Sequence, residues 1–368
     1  MDTSVLFLGF NRPDLATLVL DRLRECGVRR LYIALDGPRS GHPTDTEQCR
    51  LMRDLVDTIQ WAENKVMLIR EENLGCGLAV SSALNWFFHQ EEKGIIIEDD
   101  CLPDPSFFQF CEEMLNRYAD HSEIWAVAGT SLIPESTVPA QSHFFSKYSG
   151  FWGWATWRRA WQTYSYDLSC LTAEEWKKVV EQKCVNAVER RYWLHILDLM
   201  LKGEIDTWDF QVQFCSWKAN ALHVTSSVNL VQNLGFRPDG THTKEVSSLS
   251  DRRVMANLPP YALLPVEADT AIDRIVFGER LHASRELSEW LFDQENLEKL
   301  SDITKQQNCY ISELEDHLNR RAMIIADLEA SLKTRSAEID ILRNESTKHL
   351  GLLGALQCIR NGMNSRRG

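Results

Sequence analysis

The chain has 368 residues, 44% of them hydrophobic and 25% charged, which is the make-up of a folded globular protein and excludes a disordered chain, a collagen-like repeat or a disulfide miniprotein. The length suits one large domain or two moderate ones, with ample material for a core. With 53 acidic against 40 basic residues the formal charge is −13, which speaks against a general nucleic-acid binder, whose surface is usually basic.

Short apolar runs alternate with amphipathic stretches over the first 130 residues. Val5 to Phe10 reads as a buried strand, followed by a helix from Asp14 to Cys26 with Leu15, Leu18, Val19 and Leu23 on one face. Leu31 to Leu35 is the next strand and ends at the turn Asp36-Gly37-Pro38. Thr44 or Asp45 can cap a helix reaching Trp61, Val66 to Ile69 is a third strand, and Cys76 to Gln90 a third helix. Ile95, Ile96 and Ile97 form a fourth strand that runs into Glu98-Asp99-Asp100, then come a helix from Pro105 to Tyr118 and a strand at Ile124 to Ala128. This alternation implies βαβ units and a Rossmann-like, mostly parallel sheet with helices on both faces, a fold of α/β class. Ligands of such sheets bind outside the carboxyl ends of the strands, where Asp36, Arg70 and Asp99-Asp100 all fall.

From 131 to 280 the pattern is less regular. It holds helical patterns at Glu174 to Lys202 and Phe210 to Trp217, and eight of the 12 tryptophans between Trp152 and Trp217. From Leu281 through Leu350 there is no Gly or Pro. Apolar Ile311, Leu318, Ile325, Leu332 and Ile339 occupy heptad position a; Leu314, Arg321, Leu328, Arg335 and Leu342 occupy d. This predicts an α-helical coiled coil over 282–347 and a homo-oligomer, with a single helix lying on the domain as the alternative. Residues 348–368 read as a flexible tail. The ten cysteines form no Cys-x-x-Cys pair, so a zinc knuckle is not expected. Asp2 stands where a secretory leader would be basic, and no run approaches the roughly 20 apolar residues of a membrane span. The expected location is therefore the cytoplasm, with peripheral association at the inner membrane left open.

Three consecutive carboxylates leaving a buried strand repel one another unless a cation or protons compensate. Glu98-Asp99-Asp100 is thus a candidate site for Mg²⁺ or Mn²⁺, hard cations that prefer oxygen ligands and keep positions open for substrate phosphates. Such an ion suits a diphosphate substrate, with Arg12 or Arg70 as positive helpers. Asp36 is either a turn residue or an acceptor for the N–H of a base. Asn73-Leu74-Gly75-Cys76-Gly77 either admits a nucleotide close to the backbone or simply starts a helix. Trp154, Trp157 and Trp161 share one helical face by spacing; with Trp152 and Gly153 they offer either core or a stacking surface for sugar rings. Asp209, with Asp206 in reserve, is either a general base or a helix cap. His242 lies in a loop where it can meet phosphate or metal.

These residues together resemble the GT-A glycosyltransferases, most closely the N-acetylglucosaminyltransferase I-like group, and bacterial nucleotide-diphospho-sugar transferases of hemolytic-protein-like type. The resemblance rests on the strand into Glu98-Asp99-Asp100 with Leu102-Pro103-Asp104-Pro105 and paired Phe107-Phe108. In order around it stand Gly9-Phe10-Asn11-Arg12-Pro13, Asp36, Phe151-Trp152-Gly153-Trp154, Thr207-Trp208-Asp209 and Asn233-Leu234-Gly235-Phe236, spanning about residues 3 to 245. It implies a GT-A fold over 1–280, with a nucleotide-sugar-binding half at 1–130 and an acceptor half at 131–280. It further implies a uridine-linked sugar donor, a Mn²⁺ or Mg²⁺ ion on Asp100, and Asp99 at the ribose or donor sugar. Asp36 would read the base, Arg12 would lie near the nucleotide, and Asp209 would be the base of an inverting transfer. His242 would sit in the loop that closes over the donor. The acceptor would be a glycan, lipid-linked or protein hydroxyl in bacterial surface polysaccharide synthesis. A nucleotidyltransferase on a similar sheet lacks its basic Gly-rich loop here, and a non-catalytic coiled-coil scaffold would leave the acidic motif without a purpose.

Overall fold

The computed structural model describes residues 1–237, 254, 258–283 and separate positions between 307 and 335. The chain divides into two units, Met1–Leu291 and Phe292–Gly368. The elements of the first half are β1 (Val5–Gly9), α1 (Pro13–Glu25), β2 (Arg30–Leu35), α2 (Asp45–Asp57), β3 (Asn64–Ile69), α3 (Cys76–Gln90), β4 (Lys93–Glu98), β5 (Cys101–Pro103), α4 (Pro105–Arg117) and β6 (Ile124–Ala128). There follow β7 (His143–Ser146), β8 (Trp154–Trp157), α5 (Arg158–Trp161), α6 (Ala173–Lys183), α7 (Ala187–Leu201), α8 (Asp209–Lys218), β9 (Leu222–Ser226), β10 (Val231–Asn233) and α9 (Thr270–Ala283).

Local chemistry sets the helix starts. Pro13 and Pro105 stand in the first turns of α1 and α4, where a missing N–H costs nothing, and the Asp104 carboxylate accepts from the Ser106 N–H at 2.9 Å. Thr172 and Glu175 form a capping box on α6. The single helical stretch expected at 174–202 is two helices, because Asn186 accepts from the Glu189 N–H and starts α7 afresh.

Eight strands form one mixed sheet in the order β3-β2-β1-β4-β8-β6-β9-β7. The first four are mutually parallel, as the alternating pattern predicts. Beyond them β8 is antiparallel to both β4 and β6, and β7 is antiparallel to β9. One face, carrying Phe7, Ile33 and Ile97, packs on α1, α2 and α4 through Val19, Leu23, Met52 and Phe110. The other, carrying Leu6, Ala34 and Ile96, packs on α3, α5 and α8 through Leu84, Phe87, Trp161 and Val212. A third cluster joins α6, α7, α8 and α9 around Tyr148, Trp176, Trp193 and Phe277.

The tryptophan motif corrects the sequence reading. Trp154–Trp157 is a strand and not a helical turn, so Trp154 and Trp157 point to opposite faces of the sheet. Trp154 is fully buried, stacked on Trp208 at 5.4 Å and on Trp125 at 6.3 Å. It therefore has no face open to a sugar ring. Trp152 is half-buried and meets Phe236 edge-on at 5.4 Å.

No helix among the described residues is long and apolar enough to cross a membrane. In the second unit, positions 311–312, 314–316, 318–323 and 325–326 are helical, and Ile311, Leu318 and Ile325 are exposed. Leu328, Leu332, Ile339, Leu342 and the expected tail lie outside the described residues.

Two core histidines make stability depend on pH. His143 is buried between the Tyr118 hydroxyl and the Ser142 hydroxyl, each 2.9 Å away, and burial lowers its pKa to about 4. His223 is likewise buried and lowered to about 3. The unfolded chain binds protons near pH 6.5 that the native state refuses, so each histidine's contribution is intact above that pH and is lost as pH falls toward the folded value. Asp273, raised to about 6 by burial, works in the opposite sense, its contribution being lost as pH rises through 6. The difference between wild type and His143→Gln isolates one term. Urea unfolding should show the stability gap narrowing, or reversing, by about 3 kcal/mol from pH 6.5 to 4; a gap independent of pH would refute the burial of a neutral imidazole.

Candidate active site

The order β2-β1-β4 creates a crevice. The α1 and α2 crossovers lie on one face and α3 on the other, so neighbouring connections diverge at the carboxyl ends of β1 and β4. That divergence is where ligands of open α/β sheets bind. Both strands deliver polar groups there. The Arg12 guanidinium, just past β1, contacts Asp100 Oδ2 at 2.7 Å, both side chains being mostly buried. Asp99 is buried and accepts the Phe10 N–H at 2.9 Å. The two carboxylates after β4 thus grip the end of β1. Burial and the neighbouring carboxylates push Glu98 well above the ordinary carboxylate range, and burial with the adjacent Asp100 raises Asp99.

A second layer closes over Asp100. β10 pairs antiparallel with β5, immediately after the acidic motif. Leu234 N–H donates to the Asp100 carbonyl at 2.7 Å. A Cβ on Gly235 would stand 2.1 Å from Asp100 Oδ2, so only glycine allows this approach. Arg237 then pairs with Asp14 at 2.7 Å. Residues 238–253, His242 among them, lie outside the described residues.

At the end of β2, Asp36 is buried and accepts from Asn73 Nδ2 at 2.7 Å and from the Leu74 N–H at 3.2 Å. Burial raises its pKa, partly offset by the N–H groups of Leu74 and Gly37 and by Arg70. Asn73 also donates to the Gly37 carbonyl, so the two loops form one wall. Arg70 does not reach the acidic motif: its guanidinium donates to the Ala79 carbonyl and the Ser82 hydroxyl of α3. Beside this wall a shallow cavity of about 390 Å³ is lined by Pro38, Arg39, His42 and Thr46.

The far wall comes from α8. Asp209 opens that helix and its Oδ1 accepts the Thr207 hydroxyl. Asp209 lies close enough to help raise Glu98, and both it and Asp100 help raise the thiol of Cys76, whose main cause is burial. Asp206, the reserve base of the sequence reading, instead accepts the N–H groups of Cys76 and Gly77, each at 2.9 Å.

Sequence reasoning offered Thr44 or Asp45 as a cap of α2, but Thr44 is the N-cap residue without a side-chain cap bond and Asp45 does other work. It is completely buried, takes Arg39 through two nitrogens and Asn11 Nδ2 at 2.9 Å, and is held down to about 2 chiefly by Arg39. It braces the Asn11-Arg12 turn from behind. No local pattern marks this, because Asn11 and Arg39 belong to different loops.

The chain matches no protein-family model and no curated protein. Among solved structures it is similar to HddC from Yersinia pseudotuberculosis complexed with GMP-PN, at 14% identity and a TM-score of 0.27, over 43% of this chain and 77% of that one. It is also similar to TarS 1–349 from S. aureus, at 10% identity and a TM-score of 0.36, over 63% of this chain and 59% of that one. Likenesses this distant carry no argument about what the chain does.

Proposed function

We propose that the chain is a glycosyltransferase of GT-A type that moves a sugar from a nucleotide diphosphate donor, uridine-linked, to an acceptor hydroxyl with inversion. The observation that carries this reading is the meeting of Arg12, the Glu98–Asp100 carboxylates and Asp209 at the carboxyl edge of the sheet, on both sides of one crevice. The sequence resemblance assigns the same residues to such chemistry.

The donor set fits a hard divalent cation. The motif offers only carboxylate oxygens; burial first, and then the neighbouring carboxylates, raise Glu98, and a cation would relieve the repulsion between them. Among the described residues no group of three or more His, Cys, Asp or Glu is arranged as a ready cage. Mg²⁺ or Mn²⁺ is commonly held by only one or two carboxylates and completed by substrate phosphates. Asp100 would hold the ion, which when bound supplies Lewis-acid neutralisation of the leaving diphosphate.

The chain's own residues do the rest. Arg12 brings a guanidinium to the diphosphate, and Asp36 with Asn73 forms the wall on the nucleoside side. Asp99 holds the end of β1 in place for the ribose or donor sugar, and His242 is the further donor contact that the resemblance implies. Asp209, oriented by the Thr207 hydroxyl, takes the proton of the acceptor hydroxyl. The acceptor oxygen attacks the anomeric carbon from the face opposite the diphosphate; the carbon–oxygen bond to diphosphate breaks, and no covalent enzyme intermediate forms. The exposed Ile311, Leu318 and Ile325 are read as the seam of a homo-oligomer.

Calorimetric titration of UDP should show binding with Mn²⁺ that EDTA and Asp100→Ala each abolish; binding indifferent to both would remove the ion from Asp100. Asp209→Asn should lower turnover of a UDP-sugar about 10²–10⁴-fold while UDP affinity stays within a factor of a few, whereas equal loss of affinity would make Asp209 a structural residue. Light scattering of the full chain should give a mass above one protomer that falls to one protomer in the Leu318→Glu, Ile325→Glu double variant. A monomeric wild type would end the oligomer reading.

A further inference from the structure

We infer that Asp206 is a positioning residue for Asp209, a latch that fastens the loop bearing the base to the N-terminus of α3. The inference rests on the glycosyltransferase reading of Asp209. The first N–H groups of a helix have no partner within it, and the N-cap of α3 is Gly75, which has no side chain to offer them. Asp206 fills that role from elsewhere in the chain. Its Oδ2 accepts the Cys76 N–H and its Oδ1 accepts the Gly77 N–H, both at 2.9 Å, and the positive end of the helix dipole favours the carboxylate. Both oxygens are thereby committed to backbone donors, so Asp206 is poorly placed to take a proton from an acceptor.

The two glycines make room for the latch. A Cβ on Gly75 would lie 2.6 Å from Asp206 Oδ2, and Gly75 has a φ of +78°, a region that favours glycine. A Cβ on Gly77 would lie 2.8 Å from Asp206 Oδ1 and 2.6 Å from the Thr207 carbonyl oxygen. That carbonyl also accepts Gln211 Nε2 at 2.8 Å, and Gln211 is buried. With its carbonyl held between α3 and α8, Thr207 donates its hydroxyl to Asp209 Oδ1. The path from the rigid α3 terminus to the base is therefore short and continuous: Asp206, Thr207, Asp209. A displacement of the base by about 1 Å is enough to cost on the order of 10²-fold in rate.

The test is a double-mutant cycle on the full chain. The readouts are UDP release from whichever of UDP-glucose, UDP-galactose and UDP-N-acetylglucosamine the wild type turns over fastest, UDP affinity by calorimetry, and the thermal midpoint. Asp206→Asn, which presents an NH₂ group to one of the two N–H donors, should lower kcat about 10- to 100-fold with UDP affinity within about threefold. In the Asp209→Asn background the same change should cost less than about twofold, because the base it positions is already gone. Gly77→Ala, whose Cβ would press on Asp206 Oδ1 and on the Thr207 carbonyl, should repeat both results with a lowered thermal midpoint. An Asp206→Asn loss of equal size in both backgrounds, or no loss in either, overturns the inference while leaving Asp209 as base. Undiminished turnover by Asp209→Asn alone overturns the reading of Asp209 and the inference with it.

Discussion

The structure turns on the cost of bringing three carboxylates to the end of one buried strand. β4 is apolar and enclosed, so Glu98, Asp99 and Asp100 emerge together into a partly desolvated place, where burial first and the neighbouring carboxylates second raise Glu98 and Asp99. The neighbouring strand answers with its own end. Arg12 lends a full positive charge to Asp100, and the Phe10 N–H lends a hydrogen bond to Asp99. The same contacts join β1 to β4 at the point where the crossovers diverge, so the compensation of charge and the shaping of the crevice are one event. Asp45 extends it backward by bracing Asn11, and Gly235 extends it outward by letting the β10 loop settle on Asp100.

The remaining architecture serves that crevice by keeping its walls stiff. Trp125, Trp154, Trp161 and Trp208 fill the layer between the sheet and α3, α5 and α8, so the helix that begins with Asp209 rests on stacked aromatic rings. Aromatic packing of this kind buries much area with little side-chain entropy to lose. The tryptophans are therefore the foundation under the start of α8, and Trp152 stands apart from them at the half-exposed contact with Phe236.

Much of the first half was legible in the sequence because its signals are local. Buried parallel strands read as apolar runs, amphipathic helices show a 3.6-residue period, and α3 and β6 begin and end where the pattern placed them. The later half was less legible. A four-residue strand carries almost no periodic signal, so β8 passed for helical spacing, and β7, β9 and β10 have their meaning only in their partners. The site divided in the same way. Asp36, Asp99, Asp100 and Asp209 stood out by their place after apolar runs or beside helices. The glycines at 75 and 77 stood out too, but their reason, room for a carboxylate from residue 206, did not.

The sequence by itself determined the class of fold, the parallel first four strands and the edge of the sheet where the candidate site lies, since each follows from the order of short-range apolar patterns. Tertiary structure alone decided which polar groups meet: Arg12 with Asp100, Asn73 with Asp36, Asp206 with the first N–H groups of α3. It also decided that Trp154 lies in the core rather than in the crevice. Such pairings join residues as many as 130 positions apart. Their partners are chosen by how the strands and helices pack, which local composition does not encode.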